Sequence, residues 1–482
     1  MATSKTPTVK TLAALGAERL AELLIELSAD DPAMRRRLRL ELAGQAGGAE
    51  IAHEIKKRIA TLAKAQSYVE GPKLKALADD LATQHQAIVG PLAKTDPVQA
   101  LDLLWRLLEL VDPVMQRCDD SNGRIGGVFQ AAAADLPALA KAAAVDPEEL
   151  ARNVFGALQR NSYDQFDGLV GEMAEALGPS GLARLKQYLQ DWEREPQATP
   201  PQDQRRIVGY GGSTGPLYAD QMDARYRTYV IEQGLRDVAD AQGDVDGYIA
   251  RFNDEARRAP RIAACIAERL LSADRAEEAW RVLEGADQGR LLRNDRDWQQ
   301  TVLAVMQARG QIQEAQAYRW ACFTENLTIS HLRAYLKGLP DFDDVEAEAK
   351  AMDIALAYPN VHSALDFLIR WPALDRASTL VLSRVKDLNG DFYDLLTPAG
   401  EALEARYPLA ATLARRAMID FTLENARASR YRHAARHLAE CAAAAPRIAD
   451  FGAHLNHEAY RRKLQADHAR KTGFWEAVRA LG

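Results

Sequence analysis

The chain has 482 residues, 47% hydrophobic and 27% charged, with a formal net charge of -7. That length exceeds one ordinary core, so two or three domains or an open-ended solenoid are expected. Aromatics at 7%, against abundant alanine, leucine, arginine and glutamate, favour helix over sheet; the four cysteines form no C-x-x-C pair, which excludes a disulfide framework or a finger-type zinc site and fits a reducing cytoplasm.

Residues 1–10 are expected to form a short disordered lead. Glu18, Arg19 and Glu22 interrupt the apolar positions that follow Lys5 and Lys10, so no signal-peptide core forms. No apolar run approaches the roughly 18 residues of a membrane span. Leu12, Leu15, Leu20, Leu23, Leu24 and Leu27 predict an amphipathic helix. Asp31-Pro32 then opens a second one, which carries Arg35, Arg36, Arg37 and Arg39 as a solvated face. The same start signal recurs at Asp96-Pro97, Asp112-Pro113 and Asp146-Pro147, each ahead of apolar residues at helical spacing. Asp119 to Gly127 is polar and glycine-bearing and predicts a loop or tight turn, and Gly178-Pro179 predicts a helix break. The irregular spacing of these starts makes residues 11–194 a helical domain without a clean repeat.

Prolines and glycines crowd residues 195–217, which predicts a linker and a domain boundary, with Arg205, Arg206, Ile207 and Val208 as a short extended piece docked on a neighbour. Beyond it, residues 218–482 read as successive helix pairs. Ile262, Ile266 and Leu270 are expected to face Ala276, Ala279 and Leu283, and Val302 and Met306 to face Ile312 and Ala315. Leu365 and Leu368 should face Leu374, Ala377 and Val381. From Tyr407 to Pro446 the pattern is clearest. Leu409, Leu413, Ala417, Phe421 and Leu423 form one stripe, Asn425 to Ser429 break it, and Tyr431, Ala434, Ala435, Leu438 and Cys441 form the next. In each pair an alanine follows three residues after the start of the second helix, at 279, 315, 377 and 434, which suits the close crossing of two axes. This spacing resembles tetratricopeptide-like pairs, without a strict period. The stretch His454 to Trp475 is expected to cap the array.

Several blocks carry a wider resemblance: LAALGAERLAELLIELSADDPAMRRRLRLELAG at 12–44, YLKGLPDFDD at 335–344, PLAATLARRAMIDFTLENARASRYRHAARHLAEC at 408–441 and HARKTGFWEAV at 468–478. Together they resemble an uncharacterised bacterial all-helical family over nearly the whole chain. The first block is also similar to helical portions of SWIM-type zinc-finger proteins, although the C-x-C and C-x-H pairs of the finger are absent. The resemblance implies an all-α fold and a bacterial cytosolic setting, and no catalytic residues.

Gly211-Gly212-Ser213-Thr214-Gly215 matches the hydrolase pattern G-x-S-x-G, but that pattern needs a strand before the serine and a helix after it, and Pro216 follows here. His433, His437 and Cys441 share one helical face, with His454 and His457 in the next segment, and are the candidate metal ligands. His457-Glu458 lacks the second histidine of a zincin, because Arg461 stands in its place; Asp343-Asp344 reads as a helix start. No cofactor is expected.

From Arg427 to the end there are eleven Lys/Arg against five Asp/Glu, a balance of +6 that leaves -13 on the preceding chain. Arg415, Arg416, Arg427, Arg430, Arg432, Arg436, Arg461, Arg462 and Lys463 are therefore the candidate partner-binding residues, with Arg470 and Lys471 close behind in sequence. The leading expectation is a non-enzymatic, cytoplasmic scaffold that binds a protein or peptide in a helical groove. The alternative is a nucleic-acid-associated regulator, and the third reading a zinc-binding or hydrolytic protein.

Overall fold

The computed structural model describes residues 7–197, 199–211, 215–287 and 295–481. Aspartate before proline starts a helix because the carboxylate accepts the free amides of the first turn, where proline needs no partner. Asp31 accepts from Ala33 and Met34 (2.8 and 3.1 Å) and opens Pro32–Ala46. Asp96 accepts from Gln99 (2.9 Å) ahead of Pro97–Leu108, and Asp146 from Glu148 and Glu149 (2.9 and 3.1 Å) ahead of Pro147–Gln159. Asp112 departs from the pattern. Its helix, Val111–Met115, begins two residues before Pro113 and has no side-chain cap.

The described chain is all-helical apart from one antiparallel hairpin of β1 (Ile207–Gly211) and β2 (Gly215–Tyr218). Two compact units divide it, Met1–Ala256 and Arg257–Gly482. In the first unit a continuous apolar core runs from Ala43 to Val238. Of the stretch expected as a loop, Asp119–Gly123 is the turn and Arg124–Gly127 already belong to the helix Arg124–Ala134, whose first turn is held by the Asp120 carboxylate accepting from the amides of Ile125 and Gly126 (2.8 and 2.7 Å). Gly178 (φ 57°) kinks Leu169–Arg194 where the Gly-Pro step predicts a break. Of the predicted arginine face, Arg36 lies 3.5 Å from buried Asp80, which Arg58 also binds.

Residues 195–217 lie within this first unit, and their extended part pairs with itself as β1 and β2. Arg205 forks onto Asp220 (Nε 3.1 Å, Nη2 2.8 Å) and stacks 3.9 Å over Tyr218, fixing the hairpin to the helix Ala219–Ala241. That helix packs along Leu169–Arg194, and a Cβ at Gly234 would come within 3.0 Å of Leu189. Ser213 falls outside the described residues.

In the second unit, helix pairs follow one another: Pro260–Ser272 with Ala276–Glu284, Arg296–Ala308 with Ile312–Asn326, Val361–Arg370 with Leu374–Ser383, and Tyr393–Glu404 with Pro408–Glu424. Ile329–Lys337 and Asp343–Ala357 lie between the second and third pairs. Ala279, Ala315, Ala377 and Ala434 are at most 2% exposed, as a close crossing of axes requires. Ile312, expected to face Val302, instead stands 64% exposed at the first position of its helix. Tyr431–Ala444 packs against Pro408–Glu424, and the final helix, Thr472–Leu481, buries Phe474 completely against it. The ring of Phe474 meets Tyr431 and Trp475 at 6.3 and 4.9 Å between centroids.

Candidate functional site

The Pro408–Glu424 helix is buried on almost every side, because alanines and β-branched or aliphatic residues occupy most of its positions. Two of the predicted site residues lie on it, and the structure places them differently from the expectation. Arg415 and Arg416 are 3% and 5% exposed, so they are internal posts and do not line an open groove. Arg415 reaches Glu404 (2.6 Å) and Glu440 (3.0 Å). Arg447 joins at Glu404 (2.8 Å), and the hydrogen bond from Arg415 is the main reason the Glu404 carboxyl is held below its usual range. Sequence spacing alone cannot show this, since an arginine between alanines has the same periodicity whether its head meets water or a carboxylate.

Arg416 has a different environment. Its Nη1 donates to the Leu455 carbonyl (2.6 Å), and the guanidinium stacks 4.2 Å over Tyr460 and 5.9 Å from Phe451. Nε and Nη2 have no hydrogen-bond partner, and no ion pair to a carboxylate forms among the described residues. Asp420, one turn on, accepts from the Tyr460 hydroxyl instead (2.7 Å). Burial pushes the Asp420 carboxyl up, the Tyr460 hydroxyl well up and the Arg416 guanidinium down.

On either side of this helix the second unit opens a cleft. The first, of about 330 Å³, has walls from Val385, Leu388, Leu413, Phe421 and Leu455, with Arg416, Asp420, Glu424, Tyr460 and Lys463 as its charged or polar members. The second, of about 470 Å³, has Tyr393, Pro398, Met418 and Ala434 as its apolar surface and Arg430, His433 and Arg436 on the Tyr431 side. Gly390 borders both. A Cβ there would overlap the Ala417 carbonyl oxygen, so the loop can lie this close to the helix only with glycine.

The remaining candidates divide accordingly. Arg430 and Arg436 line the larger cleft: Arg430 bonds Asp391 (2.6 Å) and stacks 4.5 Å over Tyr393, while Arg436 is about half exposed, 3.5 Å from Glu440. Lys463 is exposed beside the smaller cleft. Arg427, Arg432, Arg461 and Arg462 are exposed and line neither.

Nor are the histidines and cysteine gathered into one site. His433 and His437 both line the larger cleft, and His454 the smaller. His437 Nδ1 lies 2.9 Å from Glu440, and His457 is set at the start of its own helix. Cys441 points its Sγ at the Thr412 carbonyl (3.8 Å), and burial pushes its thiol up to about 12, so it is not a thiolate at neutral pH. Among the described residues no group of three or more His, Cys, Asp or Glu is placed to hold a metal ion. Of the G-x-S-x-G pattern, Gly211 ends β1 and Gly215 begins β2, paired with each other, while Gly212, Ser213 and Thr214 lie outside the described residues.

Sequence reasoning did not single out Asp420, Tyr393, Met418 or Gly390, and it placed Tyr460 only in the C-terminal cap. The Arg416–Asp420 spacing of one turn and the Asn389-Gly390 step were the available signals.

A family model described as "Family of unknown function (DUF6880)" matches residues 2–477. The chain belongs to that family. The match accounts for the resemblance across nearly the whole sequence, and it does not extend to the SWIM-type or tetratricopeptide likeness. None of the curated proteins matches the chain. Among solved structures it is similar to a "Circular tandem repeat protein with novel repeat topology and enhanced subunit contact surfaces", at 15% identity over 96% of this chain and 98% of that one. The TM-score is 0.16, and the functional reading takes nothing from it. No described helix is long and apolar enough to cross a membrane.

Proposed function

We propose that the protein is a non-enzymatic helical-repeat scaffold, with tetratricopeptide-like pairs in its second unit, and that it holds an acidic segment of another protein in the larger cleft. The observation that carries this reading is the make-up of that cleft. Tyr393, Pro398, Met418 and Ala434 offer apolar surface, while Arg430 and Arg436 supply guanidinium groups that can fork onto carboxylates. Asp394 is the one acid on the lining. Alternating acidic and apolar side chains would satisfy both parts at once. The four free thiols fit a reducing compartment, in keeping with a cytoplasmic setting.

Nucleic acid is the less favoured partner. Phosphate binding draws on a continuous basic stripe, and here Arg415 and Arg416 are withdrawn into the core.

The test is fluorescence anisotropy with a labelled peptide of alternating glutamate and leucine, run beside a labelled random-sequence DNA duplex. The expected result is saturable peptide binding, weakened at least tenfold by the double substitution Arg430→Glu and Arg436→Glu, with weaker duplex binding. Tighter binding of the duplex, or peptide binding untouched by the double substitution, would overturn the reading.

A further inference from the structure

A helix of three turns is marginal in water by itself and is held in a protein by burying its apolar face. Pro97–Leu108 does this with Ala100, Leu101, Leu103, Leu104, Leu107 and Leu108. Ala17–Ser28 has the same length and a comparably amphipathic sequence, yet Ser28 alone is buried among its described residues. Leu24, Ile25 and Leu27 stand 42%, 70% and 65% exposed, and Leu42 on the adjoining helix, Pro32–Ala46, is 65% exposed. Aliphatic side chains left in water on neighbouring helices mark a contact surface.

The charges on these two helices say what covers it. Ala17–Ser28 carries Glu18, Glu22 and Glu26 against Arg19, whereas Pro32–Ala46 carries Arg35, Arg36, Arg37 and Arg39 against Glu41. Residues spaced by four and then three share one face of a helix. Glu18, Glu22 and Ile25 form such a face on the first helix and Arg35, Arg39 and Leu42 on the second, and all six are exposed. The two faces do not meet within the chain. Arg19 takes Glu22 (2.8 Å) and Glu26 (3.7 Å) on its own helix, Arg36 takes Asp80, and Arg35, Arg37 and Arg39 form no ion pair among the described residues. We propose that these faces are the interface of a two-fold dimer, with the Glu18–Glu22–Ile25 face of each copy against the Arg35–Arg39–Leu42 face of the other. A second copy is the occupant because this chain supplies both halves with equal spacing. Run parallel, the helices set each glutamate opposite an arginine and Ile25 opposite Leu42, and the two-fold axis makes the contact twice. Pairing the acidic helix with its own copy would instead set glutamates against glutamates. The surface belongs to the first unit and does not depend on the peptide cleft of the second.

Sedimentation velocity of the full chain at about 1–100 µM tests the assignment. A monomer–dimer equilibrium is expected. Arg35→Glu with Arg39→Glu should weaken the dimer at least tenfold, as should Glu18→Arg with Glu22→Arg, and the four substitutions together should restore it to within about threefold of the parent. Leu42→Ser removes only exposed aliphatic surface and should weaken the dimer at least threefold, which keeps the test decisive if a charge-reversed variant loses its helices by circular dichroism. A monomer at every concentration overturns the proposal, including a monomer that floats with vesicles of anionic phospholipid. So does a dimer that neither charge reversal nor Leu42→Ser weakens, or a fourfold variant no tighter than the two double ones.

Discussion

Replacing Gly390 with alanine adds a single methyl group at the point where a loop meets the Pro408–Glu424 helix. An ideal Cβ would overlap the Ala417 carbonyl oxygen and stand 2.7 Å from the Phe421 Cβ. Both obstacles are backbone or attached directly to it, so no rotamer change relieves them and the helix or the loop must move. Overpacking of this kind costs about 1–3 kcal/mol, or more where backbone must shift. Gly390 is not in the left-handed region, so by itself the substitution would stabilise the chain by about 0.4–1 kcal/mol through the unfolded state. The sign of the result is therefore diagnostic. With a urea slope of about 2 kcal/mol per M, a net loss of about 2 kcal/mol lowers the midpoint of the second unit's transition by about 1 M. Gly473→Ala is the control in the same unit, because its Cβ would meet nothing nearer than the Tyr431 ring at 3.6 Å, and it should leave the midpoint equal or higher. Urea titrations followed by tryptophan fluorescence measure both. A Gly390→Ala midpoint equal to or above that of the parent would refute the close approach, and with it the shape given to both clefts.

Thiol labelling at pH 8 should modify half-exposed Cys265 early and Cys441 last, since Cys441 is fully buried with its thiol pushed up to about 12; early labelling of Cys441 under native conditions would contradict its placement. The histidines give the protein an acid-side weakness. His362 accepts the Asn389 amide at Nε2 (2.9 Å) and stacks on Phe392, and burial, the largest cause, lowers its pKa, as it does for His331, His437 and His457. A folded pKa below the unfolded value of about 6.5 means stability that is present above about pH 6.5 and lost as pH falls through the folded value. Asp420, raised by burial, acts in the opposite sense, losing stability as pH rises through its folded pKa. Urea midpoints should therefore fall between pH 7 and pH 5, and fall less in His362→Gln, whose amide oxygen can still accept from Asn389. An acid-side slope identical in that variant would remove His362 from the account.

The sequence by itself determined the helices and where most of them begin. Capping by Asp31, Asp96 and Asp146 is a local reaction between a side chain and the next few amides, and the alanines at 279, 315, 377 and 434 mark crossings because only a small residue permits them. Other features depended on groups far apart in the chain, and only the tertiary structure decided them. Arg415 is internal because Glu404 and Glu440 from two flanking helices converge on it. Arg416 is a buried, half-used fork because Tyr460 and Leu455 close over it. The Pro/Gly stretch at 195–217 becomes a hairpin inside the first unit because Arg205 finds Asp220 and the following helix docks along Leu189. A run of residues specifies its own backbone partners within a turn or two. Which charges meet across thirty residues, and which are left facing a cleft, is fixed only when the helices pack.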